Sequence, residues 1–225
     1  MKTLPFARAG LPLTAALLLA GPALALDFTP VETWRALEGV RIPVLMFSDP
    51  TGKIRYQPPG NWNFSGEGPA LALYPPDSTG AFMKLLVLGH AAGIPEISLI
   101  PSADLVKWSQ NYIAADAQDV KLLDENPSPF LLSGRPSREF VFDYKSSGQH
   151  FQTSVAVLDW NDHEHLAVII TALAADFKAI HDTGTSSLFS WNLRKAENPP
   201  ATPAPGADST TTALPGPTPI KAASR

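Results

Sequence analysis

The second half of the chain alternates. From Arg138 to Tyr144, Phe140 and Phe142 fall on one side and Val141 on the other, the period of two expected of a strand. Phe151 to Trp160 and His165 to Leu173 are further strand-like runs, and Ser146-Ser147-Gly148 and Asn161-Asp162 between them are turn sequences. Turns this short predict antiparallel hairpins. Ala81 to Gly89 (AFMKLLVLG) is apolar at nearly every position, as suits a central strand covered on both faces. Shorter strands are expected at Val44 to Phe47, Lys53 to Gln57, Ala70 to Tyr74 and Val120 to Asp124, punctuated by Ser48 to Gly52, Pro58-Pro59-Gly60 and Pro75-Pro76.

Helical spacing marks three segments. Thr29-Pro30-Val31-Glu32 reads as a capping box with proline at the first helical position, predicting a helix from Pro30 to Glu38 that ends at Gly39. Ser102 caps a second, through Asp116, with Leu105, Trp108 and Tyr112 on one face. Phe177, Ile180, Leu188 and Trp191 share the face of a third. Gly184 interrupts it at about 1 kcal/mol relative to alanine, which marks a bend or break near Thr183-Gly184. Runs of strands with helices set apart give an α+β class: an antiparallel β-sheet with helices packed on its faces. Trp62, Trp108 and Trp191 fall on core faces. Trp34 and Trp160, nearer element ends, are the better candidates for an interface.

Both ends depart from this pattern. Lys2 and Arg8 precede an apolar run, Leu11 to Ala20, then Gly21-Pro22 and the small-residue site Ala23-Leu24-Ala25. This is the layout of a secretory signal peptide. The run is shorter than the ~20 residues a membrane span needs. The chain is therefore expected to be exported to the periplasm, with secretion as the alternative, and to mature near Leu26. From Glu197 onward the chain carries seven of the 23 prolines and no aromatic residue, too little apolar surface to offset ordering entropy. The expected organisation is a signal peptide at 1–25, a single α+β domain at 26–195 and a disordered tail rich in Pro, Ala and Thr at 196–225.

Composition narrows the function classes. Losing Lys2 and Arg8 takes the net charge from −4 to −6, which is no footprint for nucleic acid. The mature chain has no run long enough to be a transmembrane anchor; the longest strongly apolar one is Leu166 to Ala175. The absence of cysteine excludes a thiolate metal site, a Cys nucleophile and a lipid-bearing N-terminal Cys. A domain of this size without disulfides must rely on its core, burying roughly 70% of its unfolded surface.

Candidate chemistry is sparse. His163 and His165, two apart on a strand, face one side and could hold a metal with Asp159 or Asp162 as third ligand. The competing and favoured reading is a polar hairpin end with solvated imidazoles. No G-x-S-x-G elbow is present. Asp124-Glu125 and Asp159/Asp162 are the nearest approach to paired carboxylates, and both lie by turns. Gly66-x-Gly68 lacks the lysine and later glycine of a phosphate loop. No catalytic, metal or cofactor-binding residue and no cofactor is therefore assigned. The Gly89 to Ser102 connection, with Ile94, Ile97, Leu99 and Ile100, is apolar for a loop. It reads either as a contact surface or as a cover folded back on the sheet.

Tyr56-Gln57-Pro58-Pro59-Gly60-Asn61-Trp62, Gly134-Arg135-Pro136 before the three-strand meander, and the closing helix with Phe177 and Ser186-Ser187-Leu188-Phe189 resemble PsbP-like domains, which include extrinsic photosystem II proteins and bacterial DcrB-type periplasmic proteins. The resemblance covers about Gly52 to Trp191. It implies an α-β-α sandwich and a non-catalytic accessory or binding role, with no catalytic residue to carry over. The expected function is an exported, non-catalytic accessory or binding protein whose partner is a protein or envelope component. Two alternatives stand: a small metal-dependent hydrolase using His163 and His165, and a structural protein associated with the envelope.

Overall fold

The computed structural model describes residues 26–89, 96–127, 129, 132, 135–161 and 164–195. The expected signal segment and tail, Ile94, Asp162 and His163 lie outside them. In chain order the strands are β1 (Asp27–Leu37), β2 (Val40–Asp49), β3 (Gly52–Tyr56), β4 (Asn63–Glu67), β5 (Ala70–Tyr74), β6 (Phe82–Gly89), β7 (Gln118–Asn126), β8 (Ser137–Ser146), β9 (Gln149–Asn161), β10 (Glu164–Leu173) and β11 (Asn192–Lys195). Helix α1 (Ser102–Ser109) precedes β7, and α2 (Phe177–Ser187) follows β10. This is an α+β protein. Seven strands form one antiparallel sheet in the order β4-β5-β6-β10-β9-β8-β7, and four form a second, β1-β2-β3-β11.

The alternation read in the sequence decides what each face of the large sheet covers. Met83 and Leu85 on β6, Ala156, Leu158 and Trp160 on β9, and Leu166, Val168 and Ile170 on β10 enter one layer. There they meet Leu45, Phe47, Ile54 and Tyr56 of the small sheet and Phe177, Ile180 and Leu188 at α2. The intervening residues Val155, Val157, Ala167 and Ile169 enter a second layer with Phe140, Phe142, Ile97 and Leu105. Phe82, Leu86 and Leu88 pack there too, so β6 is covered on both faces. Each fully buried aliphatic or Phe side chain contributes roughly 1.5–3 kcal/mol.

The expected helix at Pro30 to Glu38 is instead strand. β1 pairs with β2, with Leu37 opposite Val40. Glu38 and Gly39 both take positive φ, 49° and 80°, the geometry of a two-residue hairpin turn whose twist matches its strands. Thr29 does not cap: its hydroxyl accepts the Gly68 N–H at 3.2 Å, and its own N–H goes to Asp27 Oδ1 at 2.8 Å. Pro30 falls in the register shift between Asp27 and Val31, where a missing donor costs least. The β-branched and aromatic residues Val31, Thr33 and Trp34 favour the pairing.

Two further expectations are corrected. α1 ends at Ser109 and tightens into a 3-10 turn at Gln110–Tyr112, rather than running to Asp116. Asp116 is used elsewhere, accepting from Ser146 Oγ at 2.7 Å and the Ser147 N–H at 3.0 Å. α2 passes through Gly184 without a break. A Cβ at Gly184 would stand 3.1 Å from Met83 Sδ and 3.2 Å from Ile170 Cδ1, so the glycine allows close approach of helix to sheet rather than ending the helix.

Candidate functional site

The β9–β10 ladder shifts register between Glu164 and His165, which brings His165 opposite Asp159. Both are buried, each about 4% exposed. They face the second layer, beside Val157 and Ala167, rather than solvent. His165 Nδ1 lies 2.8 Å from Asp159 Oδ1, a close approach but not a linear hydrogen bond. The Asp159 carboxylate also accepts the Ile97 N–H, 3.3 Å from each oxygen. One carboxylate thus fastens the 3-10 turn at Ile97–Leu99 to the end of the sheet and sits against the imidazole of the neighbouring strand.

Above this pair is a pocket of about 250 Å³ lined by Leu88, Ile97, Ile100, Asp104, Leu105, Trp108, Val157 and His165. Six of the eight are apolar or aromatic. α1 supplies one wall, because Trp108 lies one turn on from Asp104 and Leu105. The ring of Trp108 is set by Tyr112, edge-to-face at 4.9 Å between centroids. An apolar lining with few polar groups at fixed positions is the ordinary make-up of a small-molecule site. The lining contains no Ser, Thr, Lys or Tyr that His165 could activate as a nucleophile.

Other hollows are less suited. A groove of about 590 Å³ between Pro58 and α2 is lined with hydroxyls, but those of Thr183, Ser187 and Ser190 are already committed. Ser187 Oγ lies 2.8 Å from Tyr56 Oη and 2.6 Å from the Gly184 carbonyl, and Ser190 Oγ accepts the Gln57 N–H at 2.8 Å. A third, of about 220 Å³, lies over Tyr144 and Phe151.

Of the candidate ligands singled out by sequence, the structure brings Asp159 and His165 together. His163 and Asp162 lie outside the described residues, so the two-histidine metal arrangement stands as an expectation. His165 itself is not a solvated imidazole at a hairpin end. Among the described residues no group of three or more His, Asp or Glu is arranged to hold a metal. Glu125 accepts from Ser102 Oγ at 2.7 Å and pairs with Arg138 at 3.5 Å, a link from α1 to the sheet edge. Ser154, Glu139 and His181 do meet, with Ser154 Oγ and His181 Nε2 both on Glu139 Oε1, His181 at 2.7 Å. The carboxylate stands between the other two, whereas a hydrolytic triad needs the imidazole on the serine. Burial pushes the Glu139 pKa up, but hydrogen bonds from His181 and Ser154 and the His181 charge outweigh it, leaving it below the ordinary glutamate value.

Ile97 is fully buried and Leu99 is exposed, so the described part of the apolar connection folds back on the sheet. Trp160 is buried, against the expectation of an interface residue, while Trp34 is more than half exposed. Trp62, Trp108 and Trp191 are half-buried and pack against the two layers. Sequence reasoning missed the pocket. Its signal was the pairing of an apolar Ile97 to Ile100 stretch with a helix face bearing Asp104 and Trp108.

No family model matches the sequence, and no curated protein sequence matches it. The structure is similar to solved ones at low identity. One is cyanobacterial PsbP from Synechocystis sp. PCC 6803, at 10% identity over 63% of this chain and 86% of that one, with a TM-score of 0.45. Another is a variant of the protein Mog1, at 7% identity over 73% and 95%, TM-score 0.45. A third is LpqN, described as involved in cell envelope biogenesis of Mycobacterium tuberculosis, at 11% identity over 71% and 88%, TM-score 0.37. A PsbP structure, the fold expected from Tyr56–Trp62 and the meander, is thus among them. Among the described residues no helix is long and apolar enough to cross a membrane.

Proposed function

We propose that this chain is an exported, periplasmic binding protein that acts without catalysis, and that its binding site is the pocket beneath α1. The observation that carries the reading is the lining itself: an apolar cavity, closed on one side by a buried His165–Asp159 pair and offering no nucleophile. Such a site gives shape and one or two fixed polar contacts, which serve recognition. Export rests on the order of charge, apolar run and small residues in the first 25 positions. The single domain at 26–195 and the passive tail belong to the same reading.

Fractionation with N-terminal sequencing tests the location. The mature protein is expected in the periplasmic fraction, beginning near Leu26; intact Met1 recovered from cytosol alone would refute export. Crosslinking from the native periplasm, with the wild type against a pocket variant, tests the binding role. Reproducible hydrolysis that disappears in both His163→Ala and His165→Ala would replace this reading with the metal-dependent enzyme.

A further inference from the structure

We infer that the pocket beneath α1 takes a small aromatic or aliphatic amine, a molecule with an apolar body and one ammonium group. The inference rests on the pocket being a binding site. It follows from size, surface and charge together. A dry cavity of ~150 Å³ holds a single benzene ring. About 250 Å³ therefore suits a bicyclic ring or a short branched chain, and not a lipid acyl chain or a peptide.

The charges point to the sign of the head group. Asp104 is exposed at the rim, and among the described residues its carboxylate has no hydrogen bond or ion pair. Trp108, one turn further along α1, presents the best side chain for holding a cation over a ring. His165 lines the inner wall, and Asp159 stands against it without itself lining the pocket. No Lys or Arg lines the pocket. The N-terminus of α1 works in the opposite sense, but it carries only about half a positive charge. The Pro101 carbonyl already takes the Asp104 and Leu105 amides. A full negative charge at Asp104 outweighs it. An anion would enter a pocket with an acid at its mouth and, within, only His165, which already sits against the Asp159 carboxylate; an ammonium meets Asp104 and Trp108.

Three probes with the same ring separate the possibilities: tryptamine, neutral 3-ethylindole and anionic indole-3-propionate. They are titrated by calorimetry into the mature protein at neutral pH, with amide NMR shifts at Leu105 and Val157 locating the bound molecule. Tryptamine is expected to bind at least about fivefold more tightly than 3-ethylindole, and indole-3-propionate more weakly than both. Asp104→Asn should bring tryptamine to the level of the neutral probe, and Asp104→Lys should invert the order. Equal binding of all three, or a preference for the anion, overturns the amine assignment while leaving the pocket as a binding site. No binding of any probe overturns both.

Discussion

The indole Nε1 of Trp160 donates to Asp49 Oδ2 at 2.9 Å, across 111 residues of sequence. Trp160 lies at the end of β9 in the large sheet, and Asp49 ends β2 in the small one, so this bond ties the end of one strand to the end of the other across the two sheets. The other oxygen of Asp49 accepts from the Thr51 N–H at 2.9 Å and Thr51 Oγ1 at 2.6 Å, forming the β2–β3 turn. Asp49→Ala should therefore remove the turn's acceptor and leave a buried indole N–H unpaired, at about 1–3 kcal/mol. Urea unfolding reads this directly. Asp49→Asn, which keeps an acceptor for one of the two, should lose less.

Trp191 occupies the centre of the aromatic group on the same side. Its ring lies 6.1 Å from Phe28, 6.1 Å from Phe47, 5.7 Å from Tyr56 and 5.8 Å from Trp160. Trp191→Ala is expected to cost about 3–5 kcal/mol, since rings on four sides prevent collapse into the space. Trp62 packs against the same layer, but among the described residues it is not ringed by aromatic partners as Trp191 is. Trp62→Ala should cost clearly less, and equal losses in thermal or urea unfolding would contradict this packing.

How far the sequence led depended on whether a local pattern and the tertiary environment agreed. β6, β8, β9 and β10 were legible because alternation or unbroken apolarity is itself the imprint of the layers they divide. At Pro30 to Glu38 two signals conflicted. The Thr-Pro-Val-Glu sequence has helix-start chemistry, but its β-branched residues and the Glu38-Gly39 turn paired it with β2. β4 (Asn-Phe-Ser-Gly-Glu) carries little apolar pattern and exists because β5 lies beside it. For the pocket, the sequence offers His165 as a ligand paired with His163, and Asp159 as one possible third ligand. What spacing could not show was the register shift that buries Asp159 and His165 together.

Acid should weaken the fold through Glu139. Its folded pKa is depressed relative to the ordinary 4.5. A depressed carboxylate contributes stability that is fully present above the unfolded value and lost as pH falls through the folded one. Unfolding free energy should thus decline as pH drops from about 4.5 downward. Glu139→Gln, which cannot ionise, should flatten that decline. The exposed acids with lowered values, such as Asp116 and Asp182, are screened by water and should change the slope little. An unchanged acid limb in Glu139→Gln would mean that the contacts with His181 and Ser154 do not persist in solution.

Gly184 supplies the last test, because two effects of opposite sign meet there. Alanine in a helix interior gains about 1 kcal/mol over glycine. Its Cβ would, however, press on Met83 Sδ at 3.1 Å and Ile170 Cδ1 at 3.2 Å. The methionine end is flexible and can yield a few tenths of an ångström. Ile170 lies on the central strand β10 and is almost fully buried. Gly184→Ala should therefore change stability by no more than about 1 kcal/mol, propensity and crowding nearly cancelling. Gly184→Leu adds three further carbons where the sheet already sits, and should cost about 1–3 kcal/mol or more through overpacking. A stabilised Gly184→Leu, measured by urea unfolding, would show that α2 does not lie this close to β6 and β10.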